Sequence, residues 1–238
     1  MTTGWQYAVV VAIHAETPTA KTFRLQLPTA VRHVAGQHYV LRLTAPDGYQ
    51  ASRSYSVASA PDDGGAMDLT VELLPDGEVS SFLHEVVEVG DELEVRGPIG
   101  GWFVWPVDRP ALFLGGGSGI VPLMSMLRAA RAAERAPRTH LVASVRSPDH
   151  AYYRDELVGP DVTLLYTRQA PPGHDRRPGR LTADDLDGLL HPDQTVYVCG
   201  SAPFAGAASR LVAQMGHPVE QIRVERFGPT DGTSPSPP

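Results

Sequence analysis

Polar and apolar residues alternate over short stretches in the first hundred residues of the chain. A period of two is typical of half-buried β-strands, and turn-forming residues separate the stretches. Six strands are predicted, over residues 5–13, 22–27, 37–44, 52–57, 67–74 and 91–97. A short helix interrupts them from Val79, with Ser80 or Ser81 as its N-cap. Strands of this length and spacing predict an antiparallel Greek-key β-barrel.

Beyond Pro106 the pattern changes, because apolar strands now alternate with helical stretches. Strands are predicted over 111–115, 139–145, 162–167, 195–200 and 221–227, and helical stretches over 120–135, 152–157, 182–190 and 203–215. This alternation predicts an α/β domain with a parallel sheet between helices. We therefore expect a barrel domain over 1–106, an α/β domain over 107–228 and a polar, flexible tail over 229–238.

Composition narrows the classes of function. The chain has 238 residues and a formal net charge of −7, which argues against a general nucleic-acid binder. Cys199 is the lone cysteine, and the nine histidines lack metal-ligand spacing, so we expect no metal site. The sequence shows neither a secretory leader nor an apolar run of membrane-spanning length. We expect a cytoplasmic protein that binds no membrane.

The stretch LFLGGGSGIVPLMSMLRAA, residues 112–130, leads an apolar strand through glycines into a helix. Bare backbone N–H groups at a helix N-terminus suit a phosphate. The dinucleotide fingerprint G-x-G-x-x-G and the nucleophile elbow G-x-S-x-G both fail at Ile120, and no Gly-Lys-Ser/Thr of a P-loop follows. By itself the stretch is either a phosphate-binding loop or a chance cluster of glycines.

A second stretch, RSYSVAS from Arg53 to Ser59, places an arginine and Tyr55 on one face of a strand and two serines on the other. An arginine beside a tyrosine suits a phosphate and a flat ring. A half-buried edge strand explains the same residues equally well.

The order of the motifs resembles the ferredoxin–NADP⁺ reductase family. The motifs are RSYS, GEVSSFLHE (77–85), GPIGGWF (97–103), GGGSGIVP (115–122), VCGSAPF (198–204) and ERFG (225–228). The resemblance spans residues 5 to 228 and implies an FAD-binding barrel followed by an NAD(P)-binding domain. It also implies hydride transfer from the nicotinamide to the flavin.

On the flavin side the resemblance assigns Arg53, Ser54, Tyr55, Ser56, Gly77, Val79 and Ser80 to FAD. Arg53 would hold the pyrophosphate, Tyr55 the isoalloxazine or ribityl group, and Ser56 a position near flavin N5. Gly77 and the helix start would also take the pyrophosphate, although Ser80 alone is equally well explained as an N-cap. Trp102 and Phe103 are expected in the core.

On the nicotinamide side the resemblance assigns Gly116, Gly117, Ser118, Cys199 and Gly200 to the nucleotide. Glu225 matches the family's acidic residue near the nicotinamide, and Phe227 matches the aromatic that covers the flavin. Ser56, Cys199, Glu225 and Phe227 are therefore the residues expected to position the reacting rings. Without the resemblance, Cys199 would be interpreted as a small buried hydrophobic residue.

Two groups of arginines carry further predictions. Thr167, Arg168, Arg176, Arg177 and Arg180 belong to the loop after a predicted strand. Arginines there favour the 2′-phosphate of NADPH, with NADH still possible and a solvated loop as the alternative. Arg128, Arg131 and Arg135 share one helix face, which would either dock an acidic electron carrier or be a solvated surface.

The sequence favours an FAD-dependent oxidoreductase that takes hydride from NADPH and passes single electrons to a separate redox protein. That partner would be a ferredoxin, a flavodoxin, or a haem or molybdenum enzyme. The alternatives are a flavin or oxygen reductase that needs no protein partner, and a non-enzymatic flavoprotein subunit or redox sensor.

Overall fold

The computed structural model describes residues 4–62, 64–133 and 137–228, so the predicted tail and Arg135 lie outside the described residues. The strands are β1 Gln6–Thr17, β2 Ala20–Gln26, β3 His38–Thr44, β4 Gln50–Ser56, β5 Ala66–Glu72, β6 Glu92–Ile99, β7 Ala111–Gly116, β8 Thr139–Val145, β9 Val162–Tyr166, β10 Thr195–Ser201 and β11 Ile222–Phe227. The α-helices are α1 Glu78–Glu85, α2 Ile120–Ala132 and α3 Ala202–Gln214. None of the described helices is both long and apolar enough to cross a bilayer.

The first six strands form an antiparallel sheet in the order β4-β3-β6-β1-β2-β5. Strands β1 and β2 are neighbours, as are β3 and β4, whereas β2 and β3, β4 and β5, and β5 and β6 are separated, as in a Greek key. A bridge between Val57 and Leu69 joins the two ends of the sheet, so the sheet closes on itself. Alternate side chains fill the interior, and Val79 and Leu83 of α1 join that core.

The last five strands form a parallel sheet in the order β11-β10-β7-β8-β9. Helices α2 and α3 cover opposite faces of this sheet. Odd-numbered residues of β7, β8 and β10 pack with α2 in one apolar cluster, and even-numbered residues pack with α3 in another. The chain moves outward from β7 to β9 and then returns to the other side of β7 with β10. This reversal creates a switch point between β7 and β10, where open α/β sheets bind ligands. The fold class predicted from the sequence is confirmed.

Two helices predicted from the sequence are wrong. Residues 152–157 form turns, because Tyr153 has a φ of 53° and buries its ring instead of continuing a helix. Residues 182–190 contain only a 3₁₀ turn, Asp184–Leu186. There the Asp185 carboxylate accepts bonds from the backbone N–H and hydroxyl of Thr182, and such local side-chain bonds compete with a helix.

Two smaller predictions also need correction. Helix α1 begins at Glu78 with Gly77 as its N-cap, so Ser80 and Ser81 lie inside the helix. Phe103 is in the core as expected, whereas Trp102 is 64% exposed. The Trp102 ring contacts the guanidinium of Arg223, whose central carbon lies 5.6 Å from the ring centroid.

Candidate functional site

The RSYS residues lie on β4, at one end of the barrel sheet. Pairing with β3 places Arg53 opposite Leu41 and Tyr55 opposite Tyr39. Arg53 is exposed, along with Ser54, whereas Tyr55 is half-buried against the barrel core and Ser56 is buried. Burial raises the pKa of the Tyr55 hydroxyl to about 12, so it remains a neutral hydrogen-bond donor at physiological pH.

No side chain caps the N-terminus of α1. As at every helix start, the first backbone N–H groups also have no partner within the helix. The Ser80 hydroxyl is used locally, because it donates to the Gly77 carbonyl at 3.0 Å and accepts from the Leu74 N–H at 3.2 Å. A side chain at Gly77 would overlap that hydroxyl. Ser80 therefore shapes the turn, and the uncapped helix end is the group that suits an anion.

The glycine loop and the end of β10 are in direct backbone contact. A Cβ on Gly119 would overlap the Cys199 carbonyl and the Gly200 N–H. A Cβ on Gly116 would lie 2.6 Å from the Phe204 ring, and one on Gly200 2.7 Å from the same ring. Only glycine fits these three positions, so the loop lies flat against β10 at the switch point.

Gly117 and Ser118 form the open part of this loop. Gly117 is exposed, has a φ of 56° and would place a Cβ with nothing within 4 Å. No side chain caps the 3₁₀ turn Gly117–Gly119, and uncapped backbone N–H groups at such a turn suit a nucleotide phosphate.

Cys199, Glu225 and Phe227 face the barrel side of the parallel sheet. Cys199 pairs with Gly115 on one side and with Glu225 on the other. Burial, with the Glu225 carboxylate adding to it, raises the pKa of the Cys199 thiol well above its usual value. The reactive form of cysteine is the thiolate, which a raised pKa disfavours. Cys199 is therefore a neutral, buried thiol that packs against its neighbours.

Glu225 carries the clearest unsatisfied group of the site. Its Oε2 atom is buried and has no hydrogen-bond partner. Burial raises the pKa of this carboxyl group to about 7. A buried polar atom without a partner is uncommon in folded proteins and marks a place where a ligand is expected to bind.

The flavin-side and nicotinamide-side residues converge where the two domains meet. One apolar cluster includes Ala35 and Ala58 of the barrel together with Cys199, and Phe227 packs against it. Ala58 follows Ser56 by two residues. The end of the RSYS strand and the end of β10 are therefore brought to the same junction.

The arginine loop is organised by a residue that sequence reasoning missed. Asp185 accepts from the Nη2 of Arg176 at 2.7 Å and also pairs with its Nε. Arg176 further donates to carbonyls of its own loop, whereas Arg168, Arg177 and Arg180 are exposed and Thr167 is half-buried. No sequence pattern marks Asp185, because its partner is nine residues away and no helix joins them.

Arg128 and Arg131, on the arginine face of α2, form ion pairs with carboxylates of this chain. Arg128 donates to Glu156 at 2.8 Å and to the Ala58 carbonyl of the barrel at 2.8 Å. Arg131 pairs with Asp161 at 2.8 Å. Arg131 remains exposed although it forms this ion pair, so the docking surface and the solvated face both stay predictions for this helix face.

A closed antiparallel barrel joined to a parallel sheet, with the ends of β4, β7, β10 and β11 at one junction, defines a flavin- and nicotinamide-binding oxidoreductase. Residues 8–104 match the family described as oxidoreductase FAD-binding domain, and residues 113–210 match the oxidoreductase NAD-binding domain. The chain belongs to the ferredoxin–NADP⁺ reductase-like family of NAD(P)H-dependent flavoprotein oxidoreductases. The presence of both domains confirms the prediction of FAD and a nicotinamide nucleotide as cofactors.

Individual relatives agree with this family. A glycine betaine monooxygenase reductase subunit of Chromohalobacter salexigens is 33% identical over 82% of this chain and 56% of its own length. The propane 2-monooxygenase reductase component of Rhodococcus jostii is 28% identical over 84% of this chain and 57% of its own length. The chain thus spans little more than half the length of these curated relatives.

A solved structure gives the same fold. The flavohem-like FAD/NAD binding domain of nitric oxide dioxygenase from Vibrio cholerae O1 biovar El Tor matches with a TM-score of 0.81 at 22% identity. The match covers 94% of this chain and 99% of that one. At this level of identity, the likeness shows the fold alone.

Replacing Gly119 with alanine tests the backbone contact at the switch point. The new methyl group would overlap the Cys199 carbonyl, so we expect Gly119→Ala to lower the free energy of unfolding by about 1–3 kcal/mol. Urea denaturation of the flavin-free protein measures this change. Gly101→Ala is the control, because a Cβ there meets nothing within 4 Å. Equal midpoints for the two variants would contradict the predicted contact.

Glu225 predicts a pH dependence of stability. Its pKa is about 7 when folded against an ordinary value of 4.5, so between these values the unfolded state ionises while the folded state stays protonated. The free energy of unfolding therefore falls as pH rises, by at most about 1.4 kcal/mol per pH unit. We expect Glu225→Gln to flatten this slope in urea titrations of the flavin-free protein. The exposed Glu85→Gln serves as control, and an unchanged slope in Glu225→Gln would refute the assignment.

Proposed function

We propose that the protein is an FAD-dependent reductase that takes a hydride from NADPH and passes electrons singly to a separate redox protein. The observation that carries the proposal is the orphaned, buried Glu225 carboxyl beside Cys199, at the sheet edge facing the barrel. When bound, FAD accepts one proton with two electrons from the nicotinamide and releases the electrons one at a time.

The barrel residues offer the groups that FAD needs. Arg53 is an exposed cation suited to the pyrophosphate, and the uncapped start of α1 at Val79 offers backbone N–H groups to the same anion. The N–H of Gly77 already donates to the Leu74 carbonyl at 3.0 Å, so Gly77 contributes the tight turn and not a donor. The neutral hydroxyl of Tyr55 and the buried Ser56 are the donors that would orient the flavin ring system. Ser54, which lies between Arg53 and Tyr55 on β4, is also exposed and would be the remaining FAD contact of this strand.

The parallel-sheet residues offer the groups that the nicotinamide needs. The open backbone at Gly117 and Ser118 would hold the pyrophosphate and ribose, with Gly116 and Gly200 permitting close approach. The Glu225 carboxyl would satisfy its orphaned oxygen on the nicotinamide carboxamide, which offers N–H donors.

Two further residues would shape the reaction space without taking part in bond making. Cys199 would pack against the nicotinamide ring as a neutral thiol, since its raised pKa argues against a nucleophilic role. Phe227 would keep water from the reacting rings, because it lies half-buried over the shared cluster.

NADPH is favoured because Arg168 and Arg180 are exposed and form no ion pair with another described residue, in a loop that follows the carboxyl end of β9. Arg176 is less suited to bind the 2′-phosphate, because its charge is already neutralised by the Asp185 carboxylate. Thr167 holds the loop start through its N–H on the Val145 carbonyl at 2.8 Å.

A separate electron acceptor is favoured by the names of the relatives, which are reductase components of monooxygenase systems. Such components serve an oxygenase or ferredoxin partner. The reductase without a protein partner is the second candidate, and acceptor preference separates the two.

Flavin content and anaerobic reduction test the function directly. We expect the purified protein to release FAD on heating and its flavin absorbance to bleach with NADPH. Cys199→Ala is expected to slow this reduction while FAD content stays unchanged, because the thiol only packs against the nicotinamide. Release of FMN alone, or no reduction by either nucleotide, would rule out the proposal. Re-oxidation that is faster with free flavin or dioxygen than with any one-electron protein would support the second candidate.

Nucleotide choice is tested at the arginine loop. We expect Arg168→Ala and Arg180→Ala to lower kcat/KM for NADPH about ten- to a hundredfold, since an arginine–phosphate bond contributes about 1.5–3 kcal/mol. Values for NADH should hardly change, because NADH lacks that phosphate. Arg138→Ala is the control, since Arg138 precedes β8 at the opposite edge of the sheet and pairs with Asp193. A wild type that prefers NADH, or equal losses with both nucleotides, would contradict this site.

A further inference from the structure

Helix α2 connects the glycine loop to the strand that carries RSYS. The helix begins immediately after Gly119, and two of its side chains cross to the barrel. Ser125 Oγ donates to the Ser59 carbonyl at 2.7 Å, and Arg128 Nη1 donates to the Ala58 carbonyl at 2.8 Å. Both carbonyls lie within three residues of Ser56, so one helix spans the distance between the two halves of the site.

A closed ring of hydrogen bonds forms a second link between the domains. The Tyr153 N–H donates to Glu16 at 2.9 Å, and the Tyr153 hydroxyl donates to Thr70 at 2.5 Å. Thr22 completes the ring, because its Oγ1 lies 2.7 Å from the Thr70 hydroxyl and donates to Glu16 at 2.6 Å. The ring ties one loop of the parallel-sheet domain to three barrel strands.

Tyr153 is held there in an unfavourable backbone conformation. Its φ of 53° lies in the left-handed region, which bulky residues rarely adopt and which costs about 1–3 kcal/mol. The side chain is buried, with its ring packed in the cluster shared by the two domains. Such a conformation persists only where the surrounding contacts outweigh it, so the interface strongly determines the position of this loop.

Arg128 joins the two links. Its guanidinium lies 4.8 Å from the Tyr153 ring centroid and 3.9 Å from the Asp68 carboxylate of the barrel. It also pairs with Glu156 of the Tyr153 loop. Because the guanidinium is planar and its donors are directional, these partners fix its orientation and thereby the register of α2 on the barrel.

We propose that Arg128 and Tyr153 are positioning residues, which hold the glycine loop in register with the RSYS strand so that nicotinamide and flavin align. The inference rests on the proposed function. Neither residue belongs to the nucleotide or flavin contacts proposed above. Reacting groups tolerate only small misplacement, and an error of about 1 Å can cost about a hundredfold in rate.

Arg131 provides a matched comparison on the same helix. It pairs with Asp161 at 2.8 Å and donates to the Glu156 and Val158 carbonyls, all within the parallel-sheet domain. Losing Arg131 removes an ion pair of similar geometry, and the hydrogen-bond partners of Arg131 among the described residues all lie outside the barrel. Any effect specific to Arg128 therefore reports the link between domains.

Three variants test the proposal: Arg128→Ala, Tyr153→Phe and Arg131→Ala. Hydrogen–deuterium exchange of the flavin-free protein follows residues 56–59 and 151–157. Calorimetry of the flavin-free protein measures the Kd for NADPH, because NADPH would reduce a bound flavin. Single-turnover absorbance of the FAD-loaded protein measures the rate constant of flavin reduction.

We expect Arg128→Ala to raise exchange in both segments and to slow flavin reduction about ten- to a hundredfold, with the Kd for NADPH changed less than about threefold. Tyr153→Phe, which keeps the ring and its packing, should give a smaller loss of the same kind. Arg131→Ala should match the wild type in all three measurements.

Wild-type rates in Arg128→Ala would overturn the proposal, and so would equal losses in Arg128→Ala and Arg131→Ala. If Arg128→Ala does not fold, the test rests on Tyr153→Phe, which removes one hydroxyl only. Wild-type exchange and reduction rates in that variant would then overturn the proposal. A wild type that binds no FAD would defeat the proposed function, whereas unchanged exchange in the flavin-free variants would defeat the positioning role separately.

Discussion

The candidate site depends on one close backbone contact, that of Gly119 with the Cys199–Gly200 peptide. No side chain fits between them, so the loop after β7 and the end of β10 are pressed together at the switch point of the sheet. This contact places the open backbone at Gly117 beside the buried face that carries Cys199 and Glu225. The same contact sets the start of α2, and therefore the direction in which that helix reaches the barrel.

Burial at the domain junction controls the chemistry of the polar groups there. It leaves Cys199 as a neutral thiol and raises the pKa of Glu225 to about 7, and it keeps the Tyr55 hydroxyl protonated. None of these groups is suited to covalent catalysis at neutral pH. They suit a reaction in which the protein orients two flat rings and excludes water, as hydride transfer between cofactors requires.

Arginines illustrate how position decides role. Three arginines form ion pairs with carboxylates of this chain, namely Arg176, Arg128 and Arg131. These ion pairs stabilise the loop or link neighbouring elements. Arg168 and Arg180 are exposed and belong to the loop that follows the carboxyl end of β9. A count of arginines in the sequence cannot separate these cases, because the carboxylate partners lie between nine and thirty residues away.

The sequence by itself determined the two-part fold and most of the strands, because these follow from local periodicity. The cofactor motifs were assigned through the family resemblance. Through the resemblance of the motif order the sequence also predicted roles for Glu225 and Cys199, which the structure pairs on neighbouring strands. Only the tertiary structure decided that Ser80 shapes a turn, that residues 152–157 are not helical and that Arg128 and Tyr153 link the domains. Those outcomes depend on partners distant in the chain, which burial and hydrogen bonding bring together and local sequence patterns do not encode.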